Sequence, residues 1–531
     1  MPRSTVLVQD AAKERPAGIA SAIQRMAPDC VTPLAYLILP NLPLLLMRHK
    51  LSLLSHGLIN VECLLLGILS LYLPRVAVFV LLVLEIAGAF IYEICYSFQF
   101  PLTDLVASVG SLSALPAVRK VEFWLALAGV TAVSAVLAFA IPRPQRRRRA
   151  AIALLVLTLA ASAVDFLDGQ NPVIRPPYLR MDLALVQERL TLSPWITLGV
   201  RGVSYYKLAA KTRNTHDLPM QSASAAMFAQ LKDTAAGAQP DIVLVVVESW
   251  GKFTDARKAE ALTDAYADPR ISAAYKVSGG TAPFDGTTVQ GEVRELCHSH
   301  LGFGVFHVSA SESEHCLPEK LEAKGYSTYG IHGYLGDMFQ RKSWYKKLGF
   351  ETILFGPDLE KQGLPVCPGA FTGVCGPSVP SWIGEHLLTQ GTREPRFVYW
   401  MTLNSHVPLP LDPRLPPDHL CESFPELQNS AALCSWFRIL HAVHSSIAEL
   451  ALDVEKRPTV FVMVGDHAPP FSDAALRQNF VGEVVPYIIL MPKSLEKPVD
   501  AHGSHGSPTP LAISEGKHRG TEHESETASG N

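Results

Sequence analysis

Short, continuous apolar segments recur through the second half of the chain. Ile242–Val247 is followed by Glu248, and Val460–Gly465 is followed by Asp466 and His467. Uninterrupted segments rich in β-branched residues are typical of strands that are buried on both faces of a parallel sheet. Side chains that follow such strands gather at one rim of the sheet. We therefore expect these two carboxylates and this imidazole to converge.

The pattern between these segments extends the prediction to a whole domain. Further strands are predicted at 326–331, 397–403 and 485–491, and the segment from Ser435 to Val454 has helical periodicity. Alternating strands and helices are the signature of an α/β domain with helices on both faces of a mostly parallel central sheet.

The first third of the chain has a different pattern, with long apolar stretches. Each is close to the roughly 17–25 residues that a helix needs to cross a bilayer. The mean hydropathy of +0.18 is high for a water-soluble enzyme of this size. We predict an N-terminal five-helix membrane domain with spans at 31–47, 51–73, 76–98, 123–142 and 150–168.

Arginines between the last two spans orient this domain. The stretch Arg143–Arg149 lies in a short loop, and basic residues in short loops stay on the cytoplasmic side. Everything after the fifth span is then extracytoplasmic. A run of arginines can also bind nucleic acid, but its position between two apolar spans favours a role in topology. No nucleic-acid partner is predicted.

These patterns divide the chain into four parts. Residues 1–170 are predicted to form the five-span domain, and 171–240 a connector with short amphipathic helices. Residues 241–493 form the catalytic domain. Residues 494–531 lack apolar periodicity and are predicted to be a disordered tail.

Six cysteines lie in the part predicted to be extracytoplasmic, where disulfides persist. They fall into three pairs that are close in sequence. A set of unrelated buried thiols is the alternative. The predicted disulfides join Cys297 with Cys316, Cys367 with Cys375, and Cys421 with Cys434.

The three side chains at the rim favour a metal site. Glu248, Asp466 and His467 offer two hard oxygen ligands and one imidazole, a set that suits Zn²⁺ or Mn²⁺. The loop Gly286–Glu292 supplies a nucleophile, because a metal-bound hydroxyl can lose its proton at neutral pH. Thr288 is the predicted nucleophile; a plain helix cap is the alternative for this residue.

Several motifs in order resemble one family. The segments VVVESWG, GTTVQGE, HGYLGDMFQRKSWYKKLGF, TLNSHVPL and VGDHAPPF resemble the sulfatase-like branch of the alkaline phosphatase superfamily. More narrowly, they are similar to membrane-anchored lipoteichoic acid synthases and lipid A phosphoethanolamine transferases. The resemblance covers about residues 241–493 and implies an alkaline phosphatase-like sandwich.

The resemblance also implies roles for individual residues. Glu248, Thr288, Asp466 and His467 match the metal ligands, and Thr288 matches the nucleophile that carries a covalent phospho-intermediate. Thr287 is the alternative nucleophile, but the spacing from Thr288 to the following glutamate matches the synthases better.

The remaining matches concern the substrate. His406 matches a histidine that contacts substrate phosphate or acts as acid or base, although a capped strand end is the alternative. Arg341 matches an arginine that holds the phosphate or head group, although a surface salt bridge is the alternative. His332 and Phe339 are assigned to substrate binding with it, and Phe339 stands where the synthases have a tryptophan.

Two departures narrow the expected chemistry. The phosphoethanolamine transferases have cysteines on both sides of the nucleophile, whereas here no cysteine of the catalytic domain precedes Thr288. The sequence Cys297-His298-Ser299-His300-Leu301 lacks the Pro and Arg of the C/S-x-P-x-R motif, which argues against sulfate-ester cleavage.

The expected function is transfer of phosphoethanolamine or phosphoglycerol from a membrane phospholipid to an envelope glycan or lipid. The resemblance implies the bacterial inner membrane, with the catalytic domain in the periplasm. A hydrolase of the phosphodiesterase or sulfatase type and a non-catalytic membrane binding module are the alternatives.

Overall fold

The structure is a computed structural model of the chain. It describes residues 31–51, 59–97, 117–144, 146–167, 191–192, 221–232, 234, 239–284, 288–299, 302–388, 394–407, 409, 419–454, 457–471, 474–482 and 484–496. The predicted tail lies outside the described residues from 497 onward, and most of the predicted connector, including 193–220, also lies outside them.

The N-terminal third is helical where it is described. Residues 31–38 are helical, and a π-helix at Val136–Ala140 continues the fourth helix below. No helix within the described ranges combines the length and the apolarity that a bilayer span requires. The five longer helices are α1 (Asn41–Leu51), α2 (Val61–Ser70), α3 (Arg75–Ser97), α4 (Ala117–Ala135) and α5 (Arg147–Leu167).

A seven-stranded sheet forms the centre of the second half. Its spatial order is β2-β7-β6-β1-β5-β3-β4, in which neighbours from β6 to β4 are parallel and β7 is antiparallel to both of its neighbours. The strands are β1 (Asp241–Val247), β2 (Tyr275–Pro283), β3 (Ser327–His332), β4 (Thr352–Phe355), β5 (Arg396–Met401), β6 (Thr459–Gly465) and β7 (Val484–Pro492).

The mostly parallel α/β architecture that the sequence predicts is confirmed. Every residue of β1 and of β6 is buried, which explains why both sequences are apolar without alternation. The two unpredicted strands, β2 and β4, are the two edges of the sheet. Strand β2 is mostly exposed and contains Lys276, Ser278 and two glycines, and β4 is only four residues long, so neither gives the long apolar segment that identifies a central strand.

Helices cover the sheet. The longest is α9 (Ala431–Asp453), which begins at the cap Ser430 and buries Trp436, Leu440, Val443 and Ile447, one face at helical spacing. The other helices used below are α6 (Ala223–Lys232), α7 (Thr288–Cys297) and α8 (Arg341–Lys347).

Short elements complete the described part. Two-residue ladders pair Ile59–Asn60 with Thr191–Leu192 and Val366–Cys367 with Gly373–Val374. The short helices are Ala256–Leu262, Asp264–Ala267, Pro269–Ala274, Gly302–His307, Ala310–Ser313, Leu317–Glu322, Met338–Gln340, Gly356–Lys361, Gly376–Ser378, Val379–Ile383, Gly384–Leu388, His419–Glu422, Pro425–Gln428, Ala474–Arg477 and Lys493–Leu495.

All three predicted disulfides form with the predicted pairing. They join Cys297 to Cys316, Cys367 to Cys375, and Cys421 to Cys434. The first of these bonds fixes the last residue of α7 to the start of the helix Leu317–Glu322. It therefore holds the C-terminal end of the helix that begins at Thr288.

Candidate active site

Strand register brings the predicted rim residues together. Val247 of β1 pairs with Gly465 of β6, so Glu248 and Asp466 leave the sheet side by side. On the other side of β1, the loop after β5 contacts the same point. The Glu248 amide donates to the Thr402 hydroxyl at 2.8 Å, and the Ser405 hydroxyl donates to the Glu248 carbonyl oxygen.

Four side chains converge at this rim. One ligand atom from each of Glu248, Asp466 and His467 lies within 4.8 Å of the others. Nε2 of His467 is 3.4 Å from Asp466 Oδ2 and 3.6 Å from Glu248 Oε1. The Thr288 hydroxyl lies 3.2 Å from Glu248 Oε2 and 3.4 Å from His467 Nε2. All four residues are buried.

Ser249, which the sequence reasoning missed, fixes both carboxylates. Its amide donates to Asp466 Oδ1 at 2.7 Å, and its hydroxyl donates to Glu248 Oε1 at 2.8 Å. The backbone reaches this arrangement with a φ of 56°, which is unfavourable for a non-glycine residue. Its position directly after Glu248 at a strand end is the sequence signal that could have identified it.

The donor set fits a divalent cation. Asp466 Oδ2 is buried and has no hydrogen-bond partner among the described residues, and its nearest charged neighbour of opposite sign is the His467 ring at 3.4 Å, so this oxygen is available to a cation. Nδ1 of His467 lies 2.8 Å from the Ala468 carbonyl oxygen. A hydrogen on Nδ1 satisfies that contact, which leaves the lone pair of Nε2 for a metal.

The charges at the rim shift the titration of both ligands after strand β6. Burial, and then the nearby Glu248 carboxylate, raise the pKa of Asp466 to about 7. Burial alone would lower the pKa of His467, but the Asp466 and Glu248 carboxylates outweigh it and raise that pKa. Without a cation the site therefore retains protons that a bound cation would replace.

Helix α7 presents Thr288 to the cluster. Its apolar residues Val289, Val293 and Leu296 lie in the core. Gly291 permits the close approach, because a Cβ at this position would lie 2.8 Å from both Cα and Cβ of Asp466. The first amides of a helix favour an anionic group. Thr287, the alternative nucleophile, lies outside the described residues.

A buried arginine, also missed in the sequence, joins α7 to the ligand strand. Arg294 donates to the carbonyl oxygens of Gly465 at 2.6 Å and Pro283 at 3.0 Å, and its Nε donates to Glu295 Oε1 at 2.7 Å. Glu295 Oε2 in turn accepts from the Ser224 amide at the start of α6. No local sequence signal identifies this arginine, because its helical neighbours Gln290, Gly291 and His298 are not apolar.

The structure places Arg341 inside the protein rather than at its surface. Its Nε and Nη2 donate to Glu292 Oε1 at 2.9 and 2.7 Å, and the hydroxyls of Tyr345 and Tyr399 donate to Glu292 Oε2. The surface salt bridge considered as its alternative is therefore wrong, because the ion pair is buried. Its contact with substrate phosphate stays a prediction.

The two predicted histidines are also enclosed. Nδ1 of His332 lies 3.1 Å from the Met401 carbonyl oxygen, and burial, with Arg341 nearby, holds its pKa well below the usual value. Nδ1 of His406 lies 2.6 Å from the Val407 carbonyl oxygen. Burial, and then His467, lower the pKa of His406 to about 4. Both imidazoles are neutral at pH 7.

Phe339 lies beside the guanidinium that it was predicted to accompany. The Arg341 Cζ atom is 5.2 Å from the centre of the Phe339 ring. Phe339 and Gln340 both have left-handed backbones, with φ of 53° and 54°. Two consecutive strained residues indicate a turn that the surrounding structure holds in place.

Comparisons with solved structures report low similarity. A protein of the alkaline phosphatase superfamily from Vibrio parahaemolyticus is 14% identical, with a TM-score of 0.35 over 49% of this chain and 62% of that chain. The lipoteichoic acid synthase LtaP from Listeria monocytogenes is 14% identical, with a TM-score of 0.36 over 55% of this chain and 72% of that chain. The Streptococcus pyogenes phosphoglycerol transferase GacH in complex with sn-glycerol-1-phosphate is 17% identical, with a TM-score of 0.35 over 54% of this chain and 74% of that chain.

The first of these comparisons spans less than two thirds of the other protein, 62% of its length. No curated protein sequence matches the chain. A family model, however, matches residues 240–512, just over half of the chain, and this range contains every residue of the cluster described above. This family agrees with the resemblance of the motifs that follow β1, β5 and β6. The chain belongs to the sulfatase family.

Proposed function

We propose that the protein transfers a phospho-head group from a membrane phospholipid to an envelope glycan or lipid. The group is phosphoethanolamine or phosphoglycerol, and the carrier is a covalent phospho-Thr288 intermediate. One observation carries the proposal: the Thr288 hydroxyl lies inside the ligand cluster, 3.2 Å from a carboxylate oxygen of Glu248.

The first half of the reaction forms the intermediate. The Thr288 oxygen attacks the phosphorus of the donor, a new oxygen–phosphorus bond forms, and the bond to the diacylglycerol oxygen breaks. Glu248 Oε2, which accepts the Thr288 hydrogen bond, takes the proton. That proton is returned to the departing diacylglycerol oxygen.

Glu248, Thr288, Asp466 and His467 are the residues that would hold a divalent cation, Zn²⁺ or Mn²⁺. When bound, such a cation lowers the pKa of the hydroxyl and neutralises phosphoryl oxygens. Ser249 keeps the two carboxylates in place during the reaction, because it donates to one oxygen of each.

The second half releases the product. An acceptor hydroxyl attacks the phosphorus, the bond from phosphorus to the Thr288 oxygen breaks, and the proton that the acceptor loses ends on the Thr288 oxygen. His406 can carry this proton, because its ring is neutral at pH 7 and, with a pKa lowered to about 4, readily gives the proton up again.

A membrane location is part of the proposal. Among the described residues, all large apolar side chains that are exposed, except Val277 and Val366, belong to the N-terminal helices. Such a surface is unfavourable in water and favourable against lipid chains. The three disulfides fit an oxidising compartment, which supports a periplasmic catalytic domain on the bacterial inner membrane.

Trapping the intermediate tests the mechanism. Full-length protein with Mn²⁺ or Zn²⁺ is mixed with phosphatidylethanolamine or phosphatidylglycerol labelled in the head group, quenched in acid and digested. We expect label on the peptide that contains Thr288, and none with Thr288→Ala. A labelled peptide that lacks Thr288, or none at all, would contradict the proposed carrier.

The fate of the label separates transfer from hydrolysis. With a crude envelope fraction as acceptor, transfer predicts a labelled glycan or lipid whose amount depends on the acceptor. Release of free phospho-alcohol at the same rate with and without acceptor would instead support the hydrolase. Lipid and glycan profiles of cells with Thr288→Ala would identify donor and acceptor.

A further inference from the structure

A cleft at one end of the N-terminal helices is lined by two positively charged side chains. Arg75, the first residue of α3, and Arg143, which precedes α5, both line it. Thr32, Tyr36 and Ser70 contribute hydroxyls, and the other lining residues are apolar. The enclosed space inside it is about 10 Å³, which is room for one water-sized atom, so a larger group would enter with a single atom and otherwise lie at the open mouth. Among the described residues no acidic side chain lines the cleft.

The two positive charges are not neutralised by the described part of the protein. Nη1 of Arg75 donates to the Phe139 carbonyl oxygen at 3.2 Å, and Nη2 of Arg143 donates to the Leu73 carbonyl oxygen. Carbonyl oxygens orient a guanidinium but carry no net charge. Each guanidinium has five N–H groups, so most of them are left for a ligand that accepts several hydrogen bonds.

A third donor inside the cleft has no well-placed acceptor. Tyr36 is 1% exposed, and its hydroxyl makes no hydrogen bond of normal geometry among the described residues, although the Ser70 hydroxyl lies close to it. Buried hydroxyls in folded proteins nearly always have a partner, which is either protein, water or ligand. Two guanidiniums and a hydroxyl donor that share a cleft are the donor set of an oxyanion site, above all of a phosphate site.

The surroundings indicate what carries the phosphate. Tyr72 and Val76 flank Arg75 and are exposed, as are Val136 and Phe139 on the neighbouring segment. A free anion needs only the charged donors. Exposed apolar side chains beside them favour a molecule that also has acyl chains.

We propose that this cleft binds the phosphate group of an anionic phospholipid, with Arg75 and Arg143 as its principal donors and Tyr36 as a third. The inference rests on the membrane location in the proposed function, but not on the transfer reaction. The basic loop Arg143–Arg149 places the cleft at the cytoplasmic leaflet. The lipid is therefore distinct from a donor that reacts in the extracytoplasmic domain.

Titration of a soluble lipid analogue tests the site. Full-length Thr288→Ala protein in detergent, in which turnover is absent, is titrated with dioctanoyl-phosphatidylglycerol while its thermal unfolding midpoint is measured. We expect a saturable rise in the midpoint. Arg75→Gln with Arg143→Gln should weaken the apparent affinity at least tenfold. The matched control is Arg147→Gln with Arg148→Gln, which removes the same charge from exposed positions in α5 outside the cleft, and it should keep the affinity.

Two further ligands identify the recognised part. Inorganic phosphate and dioctanoylglycerol, at the same concentrations, should leave the midpoint unchanged. Saturation by phosphate alone would show a free-anion site, and saturation by dioctanoylglycerol alone would show an acyl-chain site. Either result overturns the proposal, as does an equal loss of affinity in the two double variants.

A milder variant covers the case in which the double variant does not fold. Tyr36→Phe removes only the hydroxyl and should weaken the affinity about threefold, while unchanged affinity in a folded Tyr36→Phe protein would argue against the site. The proposed membrane location is tested separately: if it is wrong, the protein is recovered from cells without detergent. Failure of the transfer reaction leaves this titration unaffected.

Discussion

The N-terminal helices and the sheet domain differ in where their large apolar side chains lie. In the sheet domain several charged groups are buried, and Arg294 with Glu295 and Arg341 with Glu292 form buried ion pairs. Among the described residues of this domain, Val277 and Val366 are the only large apolar side chains that are exposed. In the N-terminal helices large apolar side chains such as Trp124 and Leu155 are exposed. The two regions therefore differ in which groups they expose.

The comparison also explains where the chemistry lies. A low-dielectric interior strengthens electrostatic interactions, and it makes every unpaired group costly. In the sheet domain this cost is offset by interlocking contacts, so that Ser249, Arg294 and Glu292 hold their neighbours in fixed positions. Asp466 Oδ2 is one of several buried polar atoms of this domain that have no hydrogen-bond partner among the described residues, and it differs from the others because it belongs to the ligand cluster.

The largest effect is expected from the nucleophile. Thr288→Ala removes the hydroxyl that is proposed to carry the covalent intermediate, and we expect transfer to fall by about 10³-fold or more. Thr288→Ser keeps a hydroxyl and should retain part of the activity. Thr287→Ala is the control that separates the two adjacent hydroxyls. Activity that survives Thr288→Ala but not Thr287→Ala, measured as head-group transfer from labelled lipid, would reassign the nucleophile.

The next largest effect concerns a buried ion pair. Arg294→Met leaves Glu295 charged and buried without its partner, and such losses cost about 3–5 kcal/mol of unfolding free energy. Urea unfolding of the full-length protein, followed by tryptophan fluorescence, measures this change. The control Arg270→Ala breaks the ion pair with Asp268 at the surface, where solvent screens the charges, and should leave stability unchanged. Equal effects in the two variants would remove the distinction between the buried network and the surface.

Introducing a lysine at an exposed apolar position in each region tests whether the two surfaces face different surroundings. Leu155→Lys adds a charge near the middle of α5, which costs roughly 2.5–3.5 kcal/mol if lipid surrounds this helix. Val277→Lys adds the same charge to an exposed position of edge strand β2 and should have little effect. The measurement is the fraction of protein that resists extraction from membranes at high pH. Similar fractions in both variants would place both surfaces in the same solvent.

The sequence predicted the sheet best where the strands are buried on both faces. Strands β1 and β6 are apolar after their first residues, Asp241 and Thr459, whereas the edge strands β2 and β4 were missed because β2 contains polar residues and glycines and β4 is only four residues long. The residues that end β1 and β6 also identified the cluster, since strand register alone brings Glu248 beside Asp466. The disulfide pairs were predictable from their closeness in sequence.

Supporting contacts were not predictable in the same way. The hydrogen bonds of Arg294 to Gly465 and of Arg341 to Glu292 join residues that are far apart in the chain. Nothing local in the sequence distinguishes a buried arginine from an exposed one in a helix. The left-handed backbone of Ser249 depends likewise on contacts from Asp466, because serine has no intrinsic preference for that conformation.

The smallest effect concerns the protons at the rim. Because the pKa of Asp466 is raised to about 7, this carboxyl holds a proton below pH 7 that a cation must displace, and the raised pKa of His467 acts in the same direction. The affinity for Mn²⁺ should therefore fall by about tenfold for each pH unit below 7 if one proton is displaced, and should level off above it. Calorimetric titration of the full-length protein between pH 5.5 and 8 in two buffers of different ionisation enthalpy measures affinity and proton release together. In Asp466→Asn the affinity should be weak and its pH dependence shallower, since only His467 still titrates. A Mn²⁺ affinity that does not change between pH 5.5 and 7 in the unmodified protein would show that Mn²⁺ binding does not displace a proton from Asp466.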